Sequence, residues 1–358
     1  MPALAALVPT LLAATIEVAA GSDLPAAFAA VQPGDTVRLG PGLHHGSLGR
    51  VRGPLRIAGA GVGTTRVVAP EGEDGLVVER GAVAISGLSL QAGRPRVALK
   101  VLGGEVTVDG VALTGGAVGA FVQDGRLEGS EVDLDGAYGV LIRSGELSLT
   151  VGRVHGTRAG VAQIAGRSEL RRLSVVGPSM EAGVSVSGGT ATLVDLVILS
   201  PGPAGLSVSA SARVEARGLV VSGAKEAQGG FLGDCVEVMR GTLHLDYASL
   251  TRCAGAALEA MGGEVVLRGV DATGGAAGCL VLVDRAKATL DGNRCSGRGP
   301  AVVSAGGAQA SATMNRWLAD PVLWVECSSG ARIHLGAGET TREPCQKAGD
   351  SLDKPRRP

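Results

Sequence analysis

From Leu55 to Ala301 the apolar and polar positions repeat one phrase, with a period of about 20–23 residues: a Gly or other small residue, a short alternating run, a Gly turn and a second alternating run. The first run of successive copies reads Val97-Ala98-Leu99-Lys100-Val101, Gly139-Val140-Leu141-Ile142-Arg143, Gly183-Val184-Ser185-Val186-Ser187, Gly205-Leu206-Ser207-Val208-Ser209, Cys235-Val236-Glu237-Val238-Met239 and Cys279-Leu280-Val281-Leu282-Val283. Side chains alternate across a strand, so every second Val, Leu or Ile points one way and the intervening Ser, Glu, Lys or Arg the other. Stacked copies then bury one continuous apolar column, and each unit touches only its neighbours. Val140, Ile142, Val184, Val186, Leu206, Val208, Val236 and Val238 are the expected inward residues. A shorter third run, as in Glu105-Val106-Thr107-Val108 followed by Val111-Ala112-Leu113, fits a three-faced coil. The period excludes pentapeptide and hexapeptide helices, and the glycine-rich calcium nonapeptide is absent.

The period breaks at Gly223 to Asp234, where the step from Gly205 to Cys235 is 235 − 205 = 30 residues, an over-long corner that reads as a loop on one side of the solenoid. Ahead of the repeats, Ser22-Asp23 followed by Leu24, Ala27, Phe28 and Val31 reads as an N-capped amphipathic helix, closed by Pro33-Gly34. A helix there covers the raw strand edges that a solenoid exposes at its end. After Trp317 the repeat is lost. The expected division is a signal peptide over 1–14, the solenoid with its N-terminal cap over 15–317, an irregular C-terminal cap over 318–345 and a disordered tail over 346–358. The leader rests on the apolar stretch Met1 to Thr15, which lacks a basic start; Leu12-Ala13-Ala14 and Val18-Ala19-Ala20 both offer cleavage sites.

Composition narrows the class further. The 58 glycines fall between alternating runs, which marks them as corners rather than as a collagen or low-complexity signature. A net charge of −1, with basic residues clustered only at Lys354-Pro355-Arg356-Arg357-Pro358, gives no footprint for nucleic acid. No membrane span is expected in the mature chain, which reads as a monomer.

Pro33-Gly34-Asp35-Thr36-Val37-Arg38-Leu39-Gly40-Pro41-Gly42, together with Leu55-Arg56-Ile57-Ala58-Gly59-Ala60-Gly61, resembles the entry coil of the right-handed parallel β-helix, or pectin-lyase-like, superfamily. The resemblance covers about Thr15 to Trp317. It implies an all-β, right-handed parallel β-helix and a secreted, periplasmic or cell-surface location; the superfamily spans polysaccharide lyases, hydrolases, epimerases and surface proteins without chemistry, so it implies no single activity.

The superfamily's catalytic signatures are missing. Arg94-Pro95-Arg96 is all that stands for the Arg-x-Pro-x-x-Arg of pectate lyases, and no Asn-Thr-Asp, Asp-Asp or Gly-His-Gly of polygalacturonases occurs. Beside Tyr138-Gly139 there is no Asp-Pro-His-Asp of the alginate epimerases, and with only Asn293 and Asn315 in the chain the internal asparagine ladder of many lyases is expected to be absent. His44-His45, in the entry coil, reads as a turn-capping pair.

Six cysteines, Cys235, Cys253, Cys279, Cys295, Cys327 and Cys345, all lie in the C-terminal part. Solenoid geometry brings the end of a coil near its start, so pairing in sequence order is the leading expectation: Cys235–Cys253, Cys279–Cys295 and Cys327–Cys345. Unpaired core thiols are the alternative. A metal site is disfavoured because no Cys-x-x-Cys occurs and His44, His45, His155, His244 and His334 are scattered.

Stacking suggests one chemical site. With Val236, Val238, Leu258 and Ala260 inward, Glu237 and Glu259 face outward about 4.8 Å apart, near Asp234 and the insert. Close carboxyls raise one another's proton affinity and can serve as an acid/base pair or hold a cation. Glu131, Asp133 and Asp135 form a second outward acidic row, with Val132 and Leu134 inward. Phe121 and Tyr138 in adjacent coils, and Phe231 on the insert, are the rings available to a sugar; gap-filling at corners is the alternative for all three. The leading functional expectation is a non-catalytic binding or structural surface protein whose partner is an extracellular polysaccharide or another cell-surface component, with no cofactor. The alternative is a polysaccharide lyase or glycoside hydrolase acting through Asp234, Glu237 and Glu259, and calcium enters only there. Ice binding is disfavoured, since Thr190-Ala191-Thr192 is the one Thr-x-Thr.

Overall fold

The computed structural model describes residues 13–177, 180–226, 233–297, 299–318, 323–325 and 330–335. It is an all-β solenoid of about 14 turns in which strands pair in parallel with those one coil before and after. Three sheets run its length. The first contains Val97–Val101, Val118–Val122, Ala182–Val186, Ala204–Ser209, Asp234–Met239 and Ala256–Met261; the second contains Thr190–Val194, Arg213–Arg217 and Thr242–Asp246; the third contains Val197–Leu199, Val220–Ser222 and Ser249–Thr251. Arg126–Ile142 and Glu146–Gln163 continue around corners through all three.

Register follows from the pleat. Val184 stacks on Leu206, Leu206 on Val236 and Val236 on Leu258, so one inward position recurs coil after coil. All eight expected inward residues, Val140 to Val238, are buried. A one-residue slip would turn the whole column toward water, and this fixes the pairing.

Each corner has its own solution. Between the second and third sheets a single residue takes the left-handed conformation: Gly87, Gly110, Glu131, Val151, Arg172, Asp195, Gly218, Tyr247, Gly269, Gly292 and Met314, all with φ between 51° and 68°. This corrects the acidic row expected at Glu131, Asp133 and Asp135. Glu131 is the corner residue (φ 52°), outside the alternating phase, while Val132 and Leu134 are inward as expected.

Between the third and first sheets a small residue opens the next run, because an inward side chain of the same coil packs on it. A Cβ added to Gly139, Gly160, Gly183 or Gly205 would lie 2.2–2.5 Å from Val154, Val175, Ile198 or Val221 respectively. Cys279 takes the same place and forms a disulfide with Cys295, which occupies the Ile198 position of its own coil. Cys235 is joined to Cys253. Both expected pairings are present and each closes a single coil; the Cys327–Cys345 pairing lies outside the described residues.

Helix α1, Leu24–Ala29, is capped by Asp23, which accepts from Ala26 N at 3.1 Å, and it buries Leu24 at the end of the core. His44 is fully buried, with Nε2 donating to the Gly40 carbonyl at 2.9 Å, the turn-holding role expected of it. Parallel pairing extends past Trp317: Leu323–Val325 and Arg332–Leu335 add to the first and second sheets within the segment assigned to a cap. The asparagine ladder exists after all, with two rungs. Asn293 Nδ2 donates to Asn315 Oδ1 at 2.8 Å and to the Leu267 carbonyl at 3.1 Å, its Oδ1 accepts from Val270 N at 2.9 Å, and Asn315 Nδ2 donates to Leu290 O at 3.1 Å. Two residues suffice because each bonds the coil before it.

Candidate functional site

The outward side of the first sheet differs from the other two faces. Its central row runs Val77, Lys100, Phe121, Leu141, Ala162, Ser185, Ser207, Glu237, Glu259, Val281 and Val303, each in register with the next. None of these residues is fully exposed. The second sheet instead presents exposed charges such as Glu105, Arg126 and Arg213, and the third presents exposed Asp133 and Arg153. The central row of the first face is therefore a partly buried floor carrying little charge except at Lys100 and at the Glu237–Glu259 step.

That step is where the outward carboxyls gather. Glu237 pairs in register with Glu259, as the alternation predicts. Asp234, at the foot of the same strand, is buried; its Oδ1 accepts from Ala256 N of the next coil at 2.5 Å, and a hydrogen bond joins its carboxyl to that of Glu259. Two carboxyl groups can share a hydrogen bond only if one of them holds a proton. Burial, the largest cause, pushes Asp234 above the usual carboxylate range, against the Ala256 N–H and the bond to Glu259. Burial likewise raises Glu237, helped by the Asp234 charge and opposed by Ser207, whose hydroxyl donates to Oε2 at 3.4 Å. Asp234 and Glu237 thus bind protons more tightly than ordinary carboxyls, on a floor whose other charged residue in the central row besides Glu259 is Lys100.

The insert leaves and rejoins the solenoid beside this cluster. Lys225 N donates to Gly202 O at 3.1 Å, and a Cβ on Gly233 would lie 2.5 Å from Lys225 C, so the two ends of the loop touch. Phe231 lies outside the described residues.

Phe121 and Tyr138 are in adjacent coils but three strand positions apart, Tyr138 opposite Val118 and Phe121 opposite Leu141. They do not form one platform. Phe121 is on the floor, with Lys100 Nζ 5.9 Å from its ring centroid. Tyr138 stands at the corner between the third and first sheets, where its hydroxyl donates to Glu181 Oε1 at 3.2 Å and Arg158 lies 5.2 Å from the ring. Burial first, then the Glu181 charge, raises the Tyr138 phenol, while Arg158 opposes. From Phe121 to Glu237 the row takes five coil steps (Leu141, Ala162, Ser185, Ser207, Glu237), about 24 Å at a strand spacing of about 4.8 Å.

Sequence reasoning missed His155. Its Nδ1 is 2.9 Å from Asp135 Oδ1 in the neighbouring coil, at the end of the third sheet, beside a groove of about 550 Å³. The signal was available: Asp135 and His155 are one period apart and both precede a corner Gly. Among the described residues no group of three or more His, Cys, Asp or Glu is arranged to hold a metal ion.

Solved structures share this architecture. The Agl-KA catalytic domain aligns with a TM-score of 0.53 at 14% identity, over 87% of this chain and 64% of its own length, so the present chain spans under two thirds of it. The chain is a parallel β-helix. The Dettilon tailspike protein gp208 (TM-score 0.48, 13% identity, 89% of this chain and 68% of that one) and the A-module of the Azotobacter vinelandii mannuronan C-5 epimerase AlgE4 (0.46, 14%, 84% and 88%) are similar to the β-helix more loosely. No protein-family model and no curated protein sequence matches it. The likeness to these structures is one of fold alone.

Proposed function

We propose that this β-helix is a secreted or cell-envelope protein that binds an extended polysaccharide along the partly buried first face. The observation that carries the reading is the outward row from Val77 to Val303, half-buried or buried throughout and repeating once per coil along the axis. A linear polymer of repeating rings suits a linear floor of repeating positions, with Phe121 as the stacking surface and Glu237 with Glu259 as hydrogen-bonding groups about 24 Å away. Two disulfides suit an oxidising compartment, and among the described residues no helix is long and apolar enough to cross a membrane. The test is binding of the intact chain to a panel of neutral and acidic polysaccharides. Phe121→Ala should weaken the best ligand by about tenfold, since an aromatic contact is worth roughly 0.5–1.5 kcal/mol beyond its buried area. Equal affinity would remove the first face from the reading.

One observation favours an enzymatic second reading. Asp234 and Glu237 both hold protons more tightly than ordinary carboxyls and stand next to Glu259, the environment of a general acid beside a base in glycoside cleavage. Turnover screening against uronic-acid and neutral polysaccharides, with and without calcium, separates the two. Depolymerisation abolished by Glu237→Gln establishes the enzyme; binding without turnover leaves the surface-protein reading.

A further inference from the structure

Away from the carboxyl cluster, the corner between the third and first sheets carries a groove of about 550 Å³ lined by Arg94, Thr114, Gly116, Asp135, His155 and Thr157 among others. Four successive coils contribute to it, so it runs along the axis beside the first face. Three features of its wall point to a ligand.

The first is the Asp135–His155 pair. An ionised carboxylate only accepts, so in this pair His155 Nδ1 is the donor, and in the neutral ring Nε2 is then the acceptor. The ring edge carrying Nε2 fits because residue 177 has no side chain: a Cβ there would lie 2.6 Å from both Nε2 and Cδ2. The second is Arg94. It is exposed, and among the described residues no carboxylate lies within ion-pair distance of it. Its stem lies across bare Gly116, where a Cβ would come 2.7 Å from Arg94 Cγ. The third is the contrast with the neighbouring cation. Arg158 is already committed, with Nε 3.0 Å and Nη2 2.5 Å from Glu181 Oε1, and Glu181 also takes the Tyr138 hydroxyl. The groove therefore combines an oriented acceptor with a guanidinium that has no carboxylate partner among the described residues.

A guanidinium fork matches a planar or tetrahedral oxyanion, and an imidazole lone pair matches a hydroxyl. We propose that this corner groove is a second binding site, one that takes a carboxylate- or sulfate-bearing ligand, with Arg94 on the anionic group and His155 Nε2 accepting from a hydroxyl of the same molecule. Asp135 is the positioning residue, acting through the imidazole. The site stands on its own and does not depend on the reading of the first face.

The intact protein is titrated calorimetrically with an oligogalacturonate, a sulfated glycosaminoglycan oligosaccharide and an uncharged cello-oligosaccharide of equal length, and the histidine ring nitrogens are followed by ¹⁵N NMR. One anionic probe should bind and shift the His155 Nε2 signal, and the carboxylate and sulfate arms tell the two sources apart. Arg94→Ala should weaken that binding by at least about tenfold while Arg94→Lys recovers part of it, because a lysine keeps the charge without the fork. Asp135→Asn should erase the tautomer preference at His155, a signature that a packing role would not change, and Arg213→Ala, on the exposed second sheet, should leave the affinity alone. The proposal is overturned if neither anionic probe binds, if the neutral probe binds equally, or if Arg94→Ala binds like the parent protein.

Discussion

A methyl group placed at Gly183 tests how the β-helix closes its coils. The backbone there is in an ordinary extended conformation, so the only obstacle to alanine is space. Its Cβ would lie 2.5 Å from Ile198 Cγ2 and 2.9 Å from the Gly205 carbonyl oxygen, against about 3.5–4.0 Å for a relaxed carbon contact. Ile198 is fully buried and hemmed in along its own column by Val175 and Val221, so it cannot swing away. Overpacking of this kind costs about 2 kcal/mol. Ile198→Ala alone removes buried methyl groups and costs about 3 kcal/mol. Combined, the two changes should cost little more than the second alone, since the new methyl fills part of the space vacated by the isoleucine, giving a coupling energy of about −2 kcal/mol. The chain already holds this arrangement elsewhere: Ala257 occupies the Gly183 column and Ala272 the Ile198 column of the same coil. Urea unfolding of the four proteins, followed by circular dichroism and compared at unchanged slope, measures the cycle. Additivity within about 0.5 kcal/mol would mean that glycine at this corner is not required by the facing side chain.

In the first sheet, Val186→Asp should cost several kcal/mol by burying an unpaired charge, whereas Ser185→Asp should stay within about 0.5 kcal/mol; similar losses in urea midpoints would contradict the inward and outward assignment. Val151 is a β-branched residue at φ 59°, so Val151→Gly should stabilise the fold by about 1 kcal/mol and raise the melting temperature, whereas a lower one would mean that the side chain contributes more than the strain costs. Asp234 and Glu237 have proton affinities raised on folding, so above the ordinary carboxyl range the folded state binds more protons than the unfolded one, and their contribution to stability falls as pH rises through the raised values. Glu79, lowered by Arg50 and then Arg52, has the opposite slope. The difference between the parent and Glu237→Gln isolates the first effect: the substitution should help more at pH 8 than at pH 5, and a pH-independent difference in melting temperature would refute the raised affinity.

The core could be read from the chain because it depends on one property, alternation, which survives exchange of Val for Leu or Ile. The same property sets Glu237 beside Glu259 from the sequence alone. Alternation fails at corners, where one left-handed residue resets the phase, so it assigns Glu131 to a face when that residue makes the bend. Nothing in Glu131, Val151, Arg172 or Tyr247 announces that conformation, since these residue types disfavour it, and only their recurrence at the Gly87 and Gly110 position reveals it. The pairing of Asp135 with His155 was hidden differently. It joins residues remote in sequence that become neighbours only once the period is fixed to the residue, and an estimate of about 20–23 residues is too coarse for that.

The three corners also explain where chemistry can sit on this β-helix. Between the first and second sheets, stacked glycines close the N-terminal coils so tightly that a Cβ on Gly104, Gly145, Gly166 or Gly189 would lie 2.0–2.3 Å from the carbonyl oxygen of the preceding coil. Between the second and third sheets a single left-handed residue makes the bend in the coils from Gly87 onward, whereas Ala58 and Thr65 are joined by a longer connection near the N-terminal end. The remaining corner varies most in length, from the continuous strand through Asp135 and Tyr138 to the long connection between Ser222 and Asp234. Length can vary there because the following strand is re-registered by the small residue at its start and, in two coils, by a disulfide. Side chains carried on those connections border the partly buried floor of the first sheet, so Arg94, His155 and Asp234 all gather along one edge. A ligand lying on the floor would meet them in turn, whereas one bound to the second or third sheet would meet only solvated charge.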